Sequence, residues 1–343
     1  MVGTSERPSA WSRFLHGLTR PSLPALVLTL LVPVAGMLVC TFGITPQFLA
    51  QNPGLLAAAP QDTDIFNTSR VLGLRLRDSV PPPSLYLIGA STLLRSVPDP
   101  VALERELRAA GAFDAPVHHL GGEGATVSQM KMLVALLPER LDGVVVIEVT
   151  PRSLAFPPTN AEVRQIRWDP DELPGLFFWR NKRFFLARLP SIPRNFLNGR
   201  VSYAPEEWLT RRLTEPGWQV AAQRMRDGIR ADYAAEREAS YGDLSEIVAR
   251  LRASGRVSVA LLENPLTARG YQEVMGPAFW DDHRARLQRF AEEQSLPVWR
   301  LDDEAGLVEE DFVDFMHLWR PEAQARYMQA LARHAAELWK ERP

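Results

Sequence analysis

The sequence is poor in cysteine and in net charge, and both shortages exclude classes of protein. Cys40 is the single cysteine in 343 residues, so the chain has no disulfide framework and no cysteine-based metal site. The formal net charge of −2 gives no attraction for nucleic acid, and no nucleic-acid-binding motif is present. The six histidines and the acidic residues lack the spacing of metal ligands. We therefore predict no metal, no cofactor and no nucleic-acid partner.

Charge is also missing from the whole stretch between Arg20 and Asp62. Within it, residues 22–44 are apolar over roughly the ~20 residues that cross a lipid bilayer, and they predict one transmembrane helix. Arginines precede this segment and aspartates follow it, which places residues 1–21 in the cytoplasm. A cleaved signal peptide is one alternative, and lipid attachment at Cys40 is another. We expect a single-pass inner-membrane protein whose main domain lies in the periplasm.

The remainder of the sequence divides into a connecting region and a regular domain. Residues 45–80 mix Pro, Gly, Ala and polar residues without lasting periodicity, and they predict a linker. From residue 81 to 343, short apolar runs alternate with stretches of helical spacing, which predicts an α/β domain with a mostly parallel sheet and helices on both faces. The interval 152–254 is too long for one crossover and predicts a helical insertion.

The predicted strands and helices of this domain follow directly from the pattern. The runs rich in Val, Ile and Leu, typical of strands buried on both faces, are Ser84–Gly89, Pro116–Leu120, Gly143–Val149, Arg256–Leu262 and Pro297–Leu301. The stretches with helical spacing are Pro100–Ala110, Val127–Leu137, Trp218–Ala253 and Glu322–Leu338.

Two short motifs predict a split Ser-His-Asp site. Ser91 follows the first predicted strand after two small residues, so its hydroxyl should lie at the carboxyl edge of the sheet, where open α/β folds bind ligands. Asp314 precedes His317 by three residues, and its carboxylate can accept from Nδ1–H and leave Nε2 to take the Ser91 proton. The plainer alternatives are that Ser91 caps the next helix and that the Asp-x-x-His pair is a surface feature.

A glycine-rich loop and three further residues complete the candidate site. Gly122 and Gly124 lie between the second predicted strand and a helix, where backbone N–H groups can approach a developing oxyanion. A plain glycine-rich turn is the alternative. Thr92 follows the candidate nucleophile directly. Asn264 follows the fourth predicted strand and is either a further donor or the cap of a turn.

Three motifs resemble, in order and position, those of the SGNH (GDSL-type) hydrolase superfamily. They are Gly-Ala-Ser at 89–91, Gly-x-x-Gly-x-Thr at 121–126 and Asp-x-x-His at 314–317, and the likeness covers about residues 84–150 and 256–335. The resemblance implies a three-layer, flavodoxin-like fold. It also implies that Ser91 is the nucleophile, His317 the base and Asp314 its orienting partner, with Gly124 and the Ser91 amide in the oxyanion hole.

The sequence departs from this superfamily at two places. Ala90 stands where an Asp usually precedes the serine, and no Gly-x-Asn-Asp follows the third predicted strand. Loss of one oxyanion donor can cost about 10²–10³ in rate. These departures favour the alternative of a catalytically inactive scaffold that binds a glycan or recruits a membrane acyltransferase.

The predicted membrane segment makes the chain most similar to the DltD-like branch of this superfamily. That resemblance implies acyl transfer to a cell-envelope glycan through an acyl-Ser91 intermediate. The partners it implies are the lipid bilayer, an envelope glycan substrate and a membrane-bound O-acyltransferase. A periplasmic esterase without a partner is a further alternative.

The predicted insertion contains a stretch that is basic and aromatic. Between Leu173 and Pro205 there are six basic residues and no acidic one, with seven aromatic residues among them. Such a composition suits a membrane interface or a membrane-embedded partner. It equally suits a cover in which the aromatic rings pack on the sheet and the arginines stay in water.

Overall fold

The computed structural model describes residues 23–77, 81–111, 115–155, 166–169, 171–173, 175–204 and 211–341. The predicted cytoplasmic segment at residues 1–21 lies outside the described residues. The same holds for several short parts of the predicted insertion, which is otherwise described.

One sheet of five parallel strands organises the domain. The strands are β1 (Ser84–Ile88), β2 (Val117–His119), β3 (Asp142–Val149), β4 (Arg256–Glu263) and β5 (Val298–Trp299). Their order is β2-β1-β3-β4-β5, and all four pairings are parallel. This is the flavodoxin-like order, in which the direction of winding reverses between β1 and β3. The predicted α/β class is therefore confirmed, and each predicted apolar run overlaps one of these strands.

Helices account for most of the remaining described chain. In chain order they are α1 (Leu23–Gly43), α2 (Pro46–Gln51), α3 (Pro53–Leu56), α4 (Thr63–Arg75), α5 (Ser91–Ser96), α6 (Pro100–Ala109), α7 (Val127–Leu136), α8 (Pro151–Ala155), α9 (Leu176–Arg180), α10 (Lys182–Leu186), α11 (Ser191–Leu197), α12 (Glu215–Ala253), α13 (Ala268–Glu273), α14 (Pro277–Glu293) and α15 (Pro321–Lys340). In the part of the chain that the structure describes, no helix has the combined length and apolarity of a membrane span.

The sheet separates two hydrophobic cores because successive side chains of a strand point to opposite faces. Leu85 and Val144 face one core, which α6 and α15 cover, whereas Tyr86 and Val145 face the other, which α7, α12 and α14 cover. The result is three layers, with helices on both faces of a buried parallel sheet.

The register between β1 and β3 depends on a close backbone approach at Gly143. Gly143 pairs with Ser84 and has a φ of 132°, a conformation that side-chain-bearing residues rarely adopt. A Cβ atom at this position would lie 1.9 Å from the Ser84 carbonyl oxygen. Only glycine therefore fits at the start of β3.

Residues 45–80 do not form the predicted linker but include the packed helices α2, α3 and α4. Leu49, Leu56 and Ile65 are fully buried in a third hydrophobic core. The Thr45 hydroxyl accepts the Phe48 N–H at 3.1 Å and so caps α2. This corrects the sequence prediction. Helices α2 and α3, of 6 and 4 residues, are too short to show a helical period, and the 13-residue α4 was also missed.

The basic and aromatic stretch of the insertion builds the other side of this third core. Its buried aromatic residues are Phe177, Phe178, Phe184 and Phe185, and they pack against α2–α4 and not on the sheet. Arg188 pairs with Asp62 at 2.8 Å, which ties the two sides together. Trp179 and Phe196 remain exposed, at 41% and 77% of their surface. The predicted packing on the sheet is therefore wrong for these rings.

Candidate active site

The Ser91 hydroxyl lies at the carboxyl end of β1, where the winding of the sheet reverses. Helix α5 begins at Ser91 and its N-cap is Ala90, so Ser91 does not act as the cap. Its Oγ lies 2.9 Å from Nε2 of His317. The two residues are 226 positions apart in sequence, and the fold alone brings them together. This distance allows the hydroxyl to donate to the imidazole.

Asp314 holds the other side of the His317 ring. Its Oδ2 lies 2.8 Å from Nδ1 of His317, and its Oδ1 accepts the backbone N–H groups of Met316 and His317 at 2.9 Å each. A bond from Nδ1–H to the carboxylate fixes the tautomer in which Nε2 accepts a proton. The structure thus brings together the three predicted catalytic residues in the predicted order.

Burial and charge set the protonation state of this carboxyl. Asp314 is 5% exposed, and burial alone would raise its pKa. The neighbouring imidazole of His317, together with hydrogen bonds from that ring and from two backbone amides, outweighs burial and lowers the pKa of Asp314 below its ordinary value. Asp314 is therefore an anion at neutral pH, as the orienting partner of a catalytic histidine must be.

A buried carboxyl group of β3, Glu148, supports the turn that carries Ser91. Its side chain is fully buried, and its Oε2 accepts the Ala90 N–H at 2.8 Å. Burial raises the pKa of Glu148 above its ordinary value, and hydrogen bonds from the backbone offset this only in part. Gly89 is needed beside it, because a Cβ atom there would lie 2.8 Å from Oε2.

The predicted oxyanion glycines do not both present free amides. The Gly122 N–H donates to the Gly89 carbonyl at 3.0 Å, so that amide is already engaged. Gly124 is exposed and has a φ of 63°, at the tip of its loop. Glu123 between them pairs with Arg95 at 2.8 Å and fixes the loop against α5. The loop lies beside the serine-bearing turn, but neither glycine is shown to point an amide at Ser91.

The other two predicted binding residues are buried. Thr92 is 2% exposed, and its hydroxyl has no hydrogen-bond partner among the described atoms. Asn264 is 1% exposed, and its Nδ2 donates to the Pro265 carbonyl at 3.0 Å, which is the turn-capping alternative. The Asn264 Oδ1 atom has no hydrogen-bond partner among the described atoms. Both residues support backbone near the site without presenting a donor to the Ser91 hydroxyl.

A cavity of about 480 Å³ opens next to His317. One wall is the loop from Asp314 to His317, and the other is the first third of α12. Two guanidinium groups, those of Arg152 and Arg224, also line it. Its volume falls within the range of sites for small organic ligands.

Three residues of this region were not predicted as functional from the sequence. Glu148 did leave a signal, since a carboxylate in an otherwise apolar run buried on both faces is exceptional. No sequence signal marks Arg152 or Arg224, because arginines are common on helix surfaces. Only the fold shows that these two residues line one cavity.

No protein-family model matches this chain, and a search of curated proteins also finds no match. Within the described part of the chain, no group of three or more His, Cys, Asp or Glu side chains could hold a metal ion.

Proposed function

We propose that the chain is a membrane-anchored serine acyltransferase or esterase of the SGNH type, acting on an acyl ester of the cell envelope. The observation that carries the proposal is a pair of contacts that connects the three side chains. Ser91 Oγ lies 2.9 Å from His317 Nε2, and His317 Nδ1 lies 2.8 Å from Asp314 Oδ2. Both lengths lie within the range of hydrogen bonds. The position at the winding reversal of a parallel sheet is where such folds bind ligands.

In the proposed reaction, His317 takes the hydroxyl proton of Ser91 while Oγ attacks the carbonyl carbon of the ester. Protonated His317, stabilised by the Asp314 anion, then gives its proton to the departing alcohol. An alcohol acceptor or water reverses these steps on the acyl-Ser91 ester. Acceptance by an alcohol of the cell envelope makes the protein a transferase, and acceptance by water makes it an esterase.

The negative charge that develops on the carbonyl oxygen needs donors. The first N–H groups of a helix have no partner within the helix, and α5 begins at the nucleophile itself, which makes the Ser91 amide the nearest donor in this proposal. Because the Gly122 amide and the Asn264 side chain already donate elsewhere, this hole has fewer donors than the candidate residues of the sequence would supply. We therefore expect slow turnover, or turnover that depends on a partner.

A fluorophosphonate probe tests the proposal, because it phosphonylates only an activated serine. We expect one label per chain, located at Ser91 by peptide mass spectrometry, and no label in Ser91→Ala or His317→Ala. Ser96→Ala is a matched control, since this serine lies on the same helix and is fully buried. Circular dichroism of each variant shows that it is folded. Labelling that persists in folded Ser91→Ala would contradict the mechanism.

The inactive scaffold remains the second candidate, and the engaged amides around Ser91 are the observation that favours it. A scaffold would bind an envelope glycan or a membrane-bound O-acyltransferase without forming an acyl-enzyme. It predicts no labelling of the wild-type chain by a fluorophosphonate of any alkyl length, although the chain is folded.

A further inference from the structure

The walls of the cavity beside His317 are apolar and regularly spaced. Helix α12 presents to it one face with steps of three or four residues, formed by Gly217, Val220, Ala221, Arg224, Met225, Gly228 and Ile229. Phe315 and Met316 of the catalytic loop face them. Glycine and alanine keep the channel open, and the larger side chains give it an aliphatic surface. Such a surface suits an alkyl chain better than a sugar, whose hydroxyls would lack partners here.

Positive charge is the other property of this cavity. Arg224 projects from the middle of the α12 face, and Arg152 follows β3 at the carboxyl edge of the sheet. Arg152 experiences the charges of Asp314 and Glu123, which places it between the catalytic loop and the glycine-rich loop. A guanidinium group binds carboxylate and phosphate oxygens with two parallel hydrogen bonds.

The cavity is lined by His317 and not by Ser91, and its position beside the base decides which half of the ester it holds. The base must reach both the serine and the oxygen of the departing alcohol, so that alcohol leaves on the histidine side. His317 and Asp314 line this cavity. The cavity therefore belongs to the alcohol and, in the reverse step, to the acceptor.

We propose that this cavity binds an acceptor alcohol that carries both an aliphatic segment and an anionic group, the segment along α12 and the anion at Arg224 and Arg152. This inference rests on the proposed acyl-Ser91 intermediate. In the step, the acceptor oxygen bonds to the acyl carbon while the bond from that carbon to Ser91 Oγ breaks. The acceptor proton passes to His317 Nε2 and then to Oγ. No further reactant is needed.

Competition for the acyl-enzyme tests this inference on the full-length protein. The enzyme is acylated with p-nitrophenyl acetate, and the acyl group is partitioned between water and an added alcohol, measured as ester formed over acid released. The alcohols are ω-hydroxyhexanoate, which has a chain and an anion, hexanol, which has the chain alone, and glycolate, which has the anion alone. Glycerol phosphate distinguishes a phosphate from a carboxylate as the preferred anion.

We expect the partition ratio for ω-hydroxyhexanoate to exceed that for hexanol by roughly tenfold, the effect of one charge-assisted hydrogen bond. It should exceed that for glycolate by roughly tenfold as well, because the additional methylene groups are buried in the channel. Arg224→Gln should remove most of the advantage over hexanol. Arg226→Gln is the matched control, because this arginine lies on the same helix and bonds to Gln223 and the Glu273 carbonyl instead. Ala221→Phe, which fills the channel, should remove the advantage over glycolate.

Each other outcome overturns the inference. Equal partition to ω-hydroxyhexanoate and hexanol rules out the anion site, and equal partition to ω-hydroxyhexanoate and glycolate rules out the aliphatic channel. In both cases release of p-nitrophenol that depends on Ser91 leaves the proposed function intact. Absence of that release overturns the acyl-enzyme and this inference together.

Discussion

The Asp314 carboxylate binds His317, the proposed base, in two ways at once. One oxygen accepts from the imidazole, and the other accepts from the backbone amides of Met316 and His317, so ring and backbone share one support. The Val313 N–H donates to the His317 carbonyl at 2.8 Å and closes the same turn. The spacing Asp-x-x-His was enough to predict this arrangement, because three residues are just the reach of such a turn.

At the scale of one residue, the hydrogen-bond partner of Glu148 could not be predicted from the sequence. A buried carboxylate without a lysine or arginine nearby is costly, and its partner here is the backbone N–H of Ala90, which no sequence motif encodes. The same holds for Gly122 and Asn264, whose type and position suggested oxyanion donors. Only the coordinates show that their N–H groups are already engaged.

We predict that Glu148→Gln keeps the serine turn intact whereas Glu148→Ala does not. Glutamine retains an oxygen acceptor for the Ala90 N–H, but alanine leaves that buried donor unpaired, at a cost of about 1–3 kcal/mol besides the cavity. Urea unfolding measures the free energy of unfolding of each variant. The rate of fluorophosphonate labelling at Ser91 measures whether the serine turn is intact. Equal stability and labelling in both variants would show that the bond does not matter.

The wild-type protein and Glu148→Gln should also differ in how the free energy of unfolding depends on pH. Because burial raises the pKa of Glu148 above 4.5, the folded chain keeps a proton that the unfolded chain has already released. The titration of Glu148 therefore lowers the free energy of unfolding as the pH rises from 4.5 through the pKa that Glu148 has in the folded chain. In Glu148→Gln this fall should be shallower, by up to about 1.4 kcal/mol per pH unit.

At the scale of elements, all five strands were predictable and several helices were not. The runs buried on both faces gave all five strands. In the structure the Asp99 side chain caps α6, where it accepts the Val101 N–H at 3.0 Å. The helices at residues 46–56 were not predicted, because their stability comes from tertiary packing. The hydrophobic periodicity of a short segment does not reveal such packing.

Gly143 provides a test at the scale of the sheet. We predict that Gly143→Ala destabilises the protein by more than about 4 kcal/mol or prevents folding, because the new methyl group would overlap the Ser84 carbonyl across β1 and β3. Gly242→Ala is the matched control. A Cβ atom at Gly242 in α12 meets nothing within 4 Å, and alanine should stabilise that helix by about 0.5–1 kcal/mol. Thermal unfolding of both variants measures these changes in stability. A small loss of stability in Gly143→Ala would contradict the register between β1 and β3.

At the scale of the whole molecule, the class of fold could be predicted and the arrangement of its extra parts could not. Alternating strands and helices determine a three-layer α/β domain by general rules of packing and handedness. No such rule says that four phenylalanines of an insertion pack on helices that precede the first strand. That contact joins segments more than a hundred residues apart, and it is specific to this chain.

The predicted anchor is testable on the whole chain. We predict that the full-length protein stays with the membrane fraction after alkaline carbonate washing, because the uncharged segment at residues 22–44 holds it in the bilayer. Replacing Val32 and Val34 by aspartate is the control, since two carboxylates in the middle of the segment should release the protein or block its insertion. A soluble product that begins after residue 44 would instead indicate a cleaved signal peptide.

The four residues from Asp314 to His317 form a self-contained half of the candidate site, and the serine forms the other half. The first half follows β4 and β5, and the second lies on the other side of β3. The pairing of β3 with β4 and a hydrogen bond from Gln324 Nε2 to the Arg95 carbonyl at 2.8 Å hold the two halves in register. In the proposed mechanism, turnover of an ester therefore measures the assembly of this sheet. A chain divided at the turn between α12 and β4 should then form a complementation pair, and the proposed activity would report that its two fragments have met.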